Sequence, residues 1–143
     1  MIRRALALVL SAYALHFAWE MAHAKWFATM SELPFWTATA WCARAALWDV
    51  VISAAAYLAA ALASRDVRWF RRLSPLPVAV YLLLGLVVTV AIERSALATG
   101  RWRYAPDMPT ITGIGLSPLL QWIVVPLLLI AVARFVIPPS RIE

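Results

Sequence analysis

Hydrophobic residues of this chain fall in four long runs, which are separated by short stretches rich in proline and arginine. Each run approaches the roughly 20 residues that an α-helix needs to cross a lipid bilayer. The runs predict helices at about 5–27, 36–63, 78–98 and 116–137. We therefore expect an all-α fold, a bundle of four transmembrane helices that forms a single domain over residues 1–143.

Residues that break helices mark the ends of these runs. The motif "SELP" at 31–34 follows the first run, Pro75 and Pro77 precede the third, and Pro138-Pro139 follows the fourth. Proline lacks the backbone N–H that a continuing helix requires. Pro126 lies inside the fourth predicted helix, where we expect it to kink the backbone and free a carbonyl group.

The first run also has features of a cleavable signal peptide. It begins with "MIRR", continues with an apolar stretch and ends with "AHA" before Lys25. Such a pattern is typical of secretory signals, and cleavage after Ala24 would remove the whole segment. Phe17, Trp19 and Glu20 add little to that interpretation because they are bulky or charged. We expect a retained helix.

Composition agrees with a membrane protein. The 143 residues are 64% hydrophobic and 14% charged, whereas about a quarter of a soluble domain is charged. The net charge is +6, but Arg and Lys lie at the ends of apolar runs rather than in one patch. We therefore expect no nucleic-acid partner. A single cysteine, Cys42, excludes an intrachain disulfide and any CxxC site.

The distribution of positive charge predicts how the chain is threaded. Four crossings place both termini on one side, together with the loop between the second and third helices. That side carries eight Arg and Lys residues and the opposite side five. By the positive-inside rule both termini are expected in the cytoplasm. The expected location is the bacterial cytoplasmic membrane, with the lipid bilayer as a partner.

Polar residues within the predicted helices concentrate toward the outer side, while the inner half is nearly continuous Ala, Leu, Val and Ile. At about 100° per residue, three of them share one face of the first helix. The group is His16, Glu20, His23, Asp49, Glu93 and Gln121. Ionisable side chains at membrane depth are unfavourable by a few kcal/mol and usually face protein or water. The sequence therefore predicts an outer-leaflet polar pocket.

The first functional hypothesis is acid–base chemistry on a small apolar or lipid-like molecule. Glu20, Asp49 and Glu93 are candidate catalytic residues, because a carboxyl group in apolar surroundings can carry and donate a proton. Aromatic side chains can line an apolar cavity and stabilise a cation. The candidate substrate-binding residues are Trp19, Trp48, Trp102, Tyr104 and Gln121.

A second hypothesis is a metal site. His16, Glu20 and His23 follow one helical face, and Glu-x-x-His is the spacing that helical bundles use for carboxylate-bridged metals. A two-metal site needs another such motif, and the chain has two histidines in all. The pattern therefore allows one metal ion per chain, or a two-metal site in a homodimer. The cofactor stays open.

Two further hypotheses give the polar residues other roles. Buried carboxyl groups and histidines can relay protons or ions, although the inner half of this bundle offers few such groups. Alternatively, the acids pair with Lys25, Arg44 and Arg94 and hold the helices together. The protein would then be a non-catalytic accessory subunit of a larger membrane complex.

The connector 99–115, which contains "TGRWRYAPDMPTITGIG", joins the third and fourth predicted helices. Its glycine and proline content disfavours a helix, and Trp102 and Tyr104 are residue types that favour the membrane interface. Gly113 and Gly115 permit tight turns. We expect this connector to lie over the outer polar residues, as a lid or as a cap.

Three motifs, "HFAWE", "GRWRYAPDMP" and "GLSPLLQW", carry a resemblance that extends over most of the chain. On these motifs the chain resembles a group of small four-helix bacterial membrane proteins with no assigned activity. The resemblance implies four crossings. It implies no substrate, cofactor, partner or catalytic residue.

Overall fold

The computed structural model describes residues 2–137, which are helical apart from loops, turns and one small hairpin. Pro138-Pro139, predicted to end the last helix, lies outside the described residues. The helices are α1 (Ile2–His23), α2 (Ala28–Ser31), α3 (Phe35–Ser64), α4 (Pro75–Ala98) and α5 (Leu116–Val136). Single 3₁₀ turns lie at Ala24–Trp26 and Trp69–Arg71, and the hairpin strands are β1 (Thr110–Ile111) and β2 (Ile114–Gly115).

Four of the described helices are long and apolar enough to cross a membrane. These spans are Ile2–Trp26, Phe35–Ser64, Pro75–Ala98 and Leu116–Val136, with mean hydropathies from 1.4 to 2.4. Most residues of each span face outward rather than into the protein, as expected of a bundle surrounded by lipid. The predicted all-α architecture and the membrane class are thus confirmed.

The four long helices form a ring in which each contacts two neighbours. α3 packs against α1 and α4, and α5 closes the ring by packing against the same two helices. Alanine makes close approach possible on α3, where Ala46, Ala56 and Ala60 are completely buried. Small residues serve this purpose in membranes, where van der Waals packing replaces the hydrophobic effect between helices.

The end of α1 differs from a simple extrapolation of the hydrophobic run, whereas α5 ends within one residue of the predicted position. α1 ends at His23 rather than near 27, because the next three residues form a 3₁₀ turn and Phe27 is extended. α5 continues through Pro126, which is fully buried. The α1–α3 connection therefore turns back earlier than expected, and this brings Phe27 to the top of the bundle.

One end of the bundle, which we call the aromatic end, is closed by large rings. Trp69 and Phe70, from the loop between α3 and α4, are each only 2% exposed. The Trp69 ring centroid lies 5.9 Å from that of Tyr57 and 5.4 Å from that of Tyr81. The Tyr57 hydroxyl donates to the Val67 carbonyl of the same loop. These side chains fill the space between the helices.

At the opposite end, the polar end, the connector 99–115 is an ordered strap that crosses the segment between α1 and α3. The Ala28 N–H donates to the Arg103 carbonyl at 2.9 Å, and the Ala105 N–H donates to the Trp26 carbonyl at 2.8 Å. These backbone bonds join the α1–α3 pair to the α4–α5 pair. We refer to residues 99–115 below as the strap.

The strap ends in a two-residue hairpin that the sequence analysis did not predict. Thr112 has φ 51° and Gly113 has φ 80°, and two successive positive φ values suit the tight turns that match strand twist. β1 and β2 pair with Thr110 opposite Gly115. Ile114 and Gly115 are buried against the bundle, so the hairpin fixes the strap at the start of α5.

Candidate functional site

Each long helix contributes polar side chains to the polar end. α1 contributes three because residues four and seven positions after His16 return to the same helical face. Burial is nearly complete for His16 (0% exposed), Gln121 (3%) and Glu93 (6%). Such groups require partners within the protein.

Gln121 is the centre of this arrangement. Its Nε2 atom lies 3.1 Å from the Glu20 Oε1 atom, 3.1 Å from the Asp49 Oδ2 atom and 3.1 Å from the His16 Nδ1 atom. An amide nitrogen carries two hydrogens, which the three acceptors share. Three helices are thereby joined through one side chain of α5, and two acids converge on one donor.

The contacts of His16 define its hydrogen positions. The Nε2 atom lies 3.0 Å from the Ser53 hydroxyl, and the Nδ1 atom lies 3.6 Å from the Asp49 Oδ2 atom. We assign the ring proton to Nε2, facing the Ser53 hydroxyl, because Gln121 Nε2 can only donate and lies 3.1 Å from Nδ1, which therefore accepts. The Trp122 ring packs beside the imidazole, with centroids 5.4 Å apart.

His23 links Glu20 to α5. Its Nδ1 atom lies 2.9 Å from the Ser117 hydroxyl, and its Nε2 atom lies 3.2 Å from the Glu20 Oε2 atom. The Glu20 carboxyl therefore contacts Gln121 with one oxygen and His23 with the other. A continuous chain of polar contacts therefore runs from Ser117 through His23, Glu20 and Gln121 to Asp49.

Glu93 belongs to a separate group that fixes the strap. Its Oε2 atom accepts hydrogen bonds from the Tyr104 hydroxyl and, at 3.2 Å, from Trp102 Nε1. The Tyr104 hydroxyl in turn accepts the Gly115 N–H at 3.0 Å. Burial, together with the bond to Glu93, raises the pKa of the Tyr104 hydroxyl above its ordinary value.

The polar end encloses a cavity of about 720 Å³, which lies within the usual range for small-molecule sites. Glu20, Asp49 and Glu93 all line it, so the three candidate acids share one space. The candidate binding residues Trp48, Trp102 and Gln121 also line it, and Tyr104 stands behind Glu93. Aromatic and aliphatic side chains supply much of the remaining wall: Phe27, Met30, Trp41, Ile52, Ile92 and Trp122.

The opening of this cavity faces the side of the bundle. Its exposed lining residues belong to α3, α4 and the start of the strap. They are Trp41, Arg44, Trp48, Ile92 and Arg101. Trp48 is 62% exposed and Ile92 39% exposed. The exposed part of the cavity wall therefore lies on α3 and α4 as well as at the start of the strap.

Basic residues near the polar end contact aromatic rings rather than the three acids. The Arg44 guanidinium lies 5.2 Å from the Trp41 ring centroid, and Lys25 Nζ lies 5.0 Å from that of Trp26. Within residues 2–137, the ion pairs of Glu20 and Asp49 involve histidines only. The structure therefore lacks the ion pairs with Lys25, Arg44 and Arg94 that the accessory-subunit hypothesis supposed.

Of the candidate binding residues, Tyr104 and Trp19 do not line the main cavity, and Trp19 lies away from it. Trp19 lines a second cavity of about 300 Å³ together with Trp26, Ser117 and Leu120. His23 lines both cavities and separates them. Trp19 shares the helical face of His23 closely enough to suggest one pocket, but the α5 helix divides that face into two spaces.

The metal hypothesis receives no support from this arrangement. In the part of the chain that the structure describes, no group of three or more His, Cys, Asp or Glu side chains is placed to hold a metal ion. His16 and His23 each use both ring nitrogens for contacts with protein side chains. His16, Glu20 and His23 instead belong to the network around Gln121.

Phe27 and Arg101 are among the lining residues that sequence reasoning did not assign to the site. Phe27 reaches the cavity because α1 ends early, and its ring centroid lies 5.5 Å from that of Tyr104. Arg101 reaches it because the strap turns back over the bundle directly after α4. Neither position carries a local signal, since both depend on how the two connections meet.

Comparison of the chain with models of protein families, with curated proteins and with solved structures finds no match in any of the three.

Proposed function

We propose that this protein binds a small lipid-like molecule in the cavity at its polar end and modifies it by acid–base chemistry. The observation that carries the proposal is that Glu20 and Asp49 converge on Gln121 at the wall of a cavity that opens sideways. In this proposal the polar end lies in the outer leaflet of the bacterial cytoplasmic membrane, with both termini in the cytoplasm.

Asp49 and Glu20 are the proposed proton donor and acceptor. Each lines the cavity, so one carboxyl group can give a proton to the ligand while the other takes a proton from it, and the two transfers balance. His23 contacts Glu20 and also borders the second cavity. It is the group best placed to remove from Glu20 the proton that Glu20 accepts.

The aromatic wall supports chemistry that develops positive charge. The rings of Trp48 and Trp122 border the same space as Asp49. Indole faces attract cations with energies of about 0.5–2 kcal/mol, most strongly where water is excluded. Protonation of an apolar ligand next to Asp49 would place the resulting charge beside these faces.

Glu93 has a different role in this proposal. Its Oε2 atom already accepts hydrogen bonds from Tyr104 and Trp102, so it holds the strap against α4. We assign it to positioning, and we retain Asp49 and Glu20 as the catalytic candidates.

The first experiment tests whether the cavity is occupied. Ala45 lines the cavity, and Ala54 of the same helix is exposed and lies outside it. Ala45→Trp and the control Ala54→Trp are purified in lipid nanodiscs taken directly from membranes, and bound molecules are identified by mass spectrometry. We expect Ala45→Trp alone to lose a lipid-like molecule. Identical bound lipids in both variants and the unaltered protein would refute the proposal.

The second experiment tests the chemistry. Lipid extracts are compared from cells that produce the unaltered protein, Glu20→Gln, Asp49→Asn or the control Glu32→Gln. Glu32 is an exposed acid that pairs with Arg103 at 3.0 Å and does not line the cavity. We expect the two cavity variants to accumulate an unmodified precursor that the control converts. Equal conversion in all four would show that the acids do not act on the ligand.

A further inference from the structure

Two arginines stand at the mouth of the main cavity. Arg44 of α3 and Arg101 of the strap both line the cavity and are both exposed. Each guanidinium lies over a tryptophan ring, at 5.2 Å from Trp41 for Arg44 and 5.8 Å from Trp102 for Arg101. Stacking orients a guanidinium while leaving its in-plane N–H donors available.

The arginines differ from the acids of the same cavity in how their polar atoms are used. Glu20, Asp49 and Glu93 all accept hydrogen bonds from protein groups. By contrast, among residues 2–137 no side chain or carbonyl accepts a hydrogen bond from Arg44 or Arg101 that meets ordinary geometric limits. The acids inside the cavity therefore accept hydrogen bonds from the protein, whereas the two arginines at its mouth have N–H donors available for a ligand.

From this contrast we infer that the ligand is an amphiphile with a phosphate-type anionic headgroup, which Arg44 and Arg101 bind at the mouth. The inference rests on the proposed function and specifies its substrate class. A guanidinium presents five N–H donors in a plane, which matches the paired oxygens of a phosphate group. A cationic headgroup would instead require carboxylates at the mouth, and the exposed residues that line this cavity include two arginines and no acid.

The spacing along α3 indicates which part of the ligand would react. Asp49 follows Arg44 by five residues, which places it about 7 Å deeper along the helix at 1.5 Å per residue. With the headgroup at Arg44, Asp49 would act on a part of the ligand that lies inside the cavity, deeper than the phosphate. The rest of the apolar chain can leave the cavity beside Trp48 and Ile92, which are both exposed to the surroundings of the bundle.

The chain offers matched controls for this site. Arg94 of α4 is exposed near the polar end of the bundle but does not line the cavity. Arg103 belongs to the strap and forms an ion pair with Glu32 at 3.0 Å. A general attraction of anionic lipid to this end of the protein would involve Arg94 and Arg103 as much as Arg44 and Arg101.

The test measures ligand binding to the full chain in phosphatidylcholine nanodiscs, by thermal unfolding and native mass spectrometry. The probes are phosphatidic acid, diacylglycerol with the same acyl chains, glycerol 3-phosphate and inorganic phosphate. We expect phosphatidic acid to bind and to stabilise the protein. Arg44→Gln and Arg101→Gln should each weaken this binding by about tenfold, whereas Arg94→Gln and Arg103→Gln should leave it unchanged.

Several results would overturn the inference. Equal binding of diacylglycerol would show that the phosphate is not recognised. Equal stabilisation by inorganic phosphate or glycerol 3-phosphate would indicate a site for soluble anions only. Equal losses in Arg94→Gln would indicate a diffuse surface effect. If Ala45→Trp abolishes binding of diacylglycerol while the arginine variants retain it, the proposed function stands and this inference alone fails.

Discussion

The two ends of this bundle are built from the same four helices, yet one is filled and the other is hollow. At the aromatic end, Trp69 and Phe70 insert from a loop and occupy the space between the helices. At the polar end, Trp41 and Trp48 lie on the outer side of α3 and border a cavity of about 720 Å³. Tryptophan therefore closes one end and frames an opening at the other.

The two ends differ in which part of the chain supplies the side chains that fill them, a loop at the aromatic end and the helices at the polar end. At the aromatic end the rings of Trp69 and Phe70 come from the α3–α4 loop and are buried among the helices. At the polar end the connections bond to each other through Ala28 and Arg103 and lie across the top. Polar groups of the helices then occupy part of the interior, and their hydrogen bonds keep the remaining space open.

The largest change in the free energy of unfolding is expected when a ring is removed from the aromatic end. Trp69→Ala removes a ring that is 2% exposed and should lower the free energy of unfolding by about 3–5 kcal/mol. Trp36, which is 79% exposed, serves as the control, and Trp36→Ala should change it by less than about 0.5 kcal/mol. Denaturant unfolding in detergent micelles measures both. Similar losses for the two variants would mean that the aromatic end is not the stabilising one.

The next effect tests the hydrogen bonds of the hollow end. Gln121→Met keeps the approximate shape but removes the donor that Glu20 and Asp49 share. We expect a loss of about 3 kcal/mol in unfolding free energy, because buried acceptors lose their partner. Leu120→Met, at the exposed neighbouring position, should have little effect. An unchanged stability for Gln121→Met would show that the network does not hold the helices together.

Trp122, which lines the cavity, packs directly against Gly85, where any side chain would meet its ring. A Cβ atom at Gly85 would stand 2.0 Å from the Trp122 Cε3 atom, so Gly85→Ala should cost about 2 kcal/mol through overpacking. The double variant Gly85→Ala/Trp122→Leu should be more stable than the sum of the single effects predicts. A double-mutant cycle of unfolding free energies measures this. Simple additivity would contradict the close contact.

The smallest effect concerns the strap and depends on pH. Tyr104→Phe removes the hydroxyl that donates a hydrogen bond to Glu93. This change should lower the free energy of unfolding by about 1 kcal/mol near neutral pH. Folding raises the pKa of Tyr104. The unaltered protein should therefore stay more stable to unfolding than Tyr104→Phe at every pH below about 10, the ordinary tyrosine pKa. The advantage should decline at higher pH, since the raised folded pKa favours the protonated hydroxyl. Unfolding of both proteins between about pH 7 and 11 checks this, and a constant difference would contradict it.

The four membrane-length helices were predictable because each is encoded in its own run of apolar residues. The position of Glu20, Asp49 and Glu93 at one end of the bundle was also predictable. Successive helices run in opposite directions, so the end of one helix and the start of the next lie on the same side. Such inferences need only helix geometry and order along the chain. They do not require knowledge of how the helices are rotated against each other.

The rest of the site could not be predicted because it depends on rotation and on the connections. The separation of Trp19 from the main cavity is decided by the position of α5, and no local pattern specifies that position. The role of Arg101 depends on the hairpin at Thr112 and Gly113, which fixes the strap against the bundle. Long-range backbone pairing of this kind leaves only weak signals in a single sequence.

The central position of Gln121 has a consequence for how the protein is made. Synthesis proceeds from the amino terminus, so Glu20 and Asp49 emerge from the ribosome before the residue that gives them a shared donor. Until α5 is inserted, the two acids of the first helical pair must be shielded by water, lipid headgroups or the insertion machinery. The polar network is therefore completed only when α5, which carries Gln121, has been inserted. Truncation before residue 121 should leave the acids of the earlier helices without this donor and expose those helices to quality control.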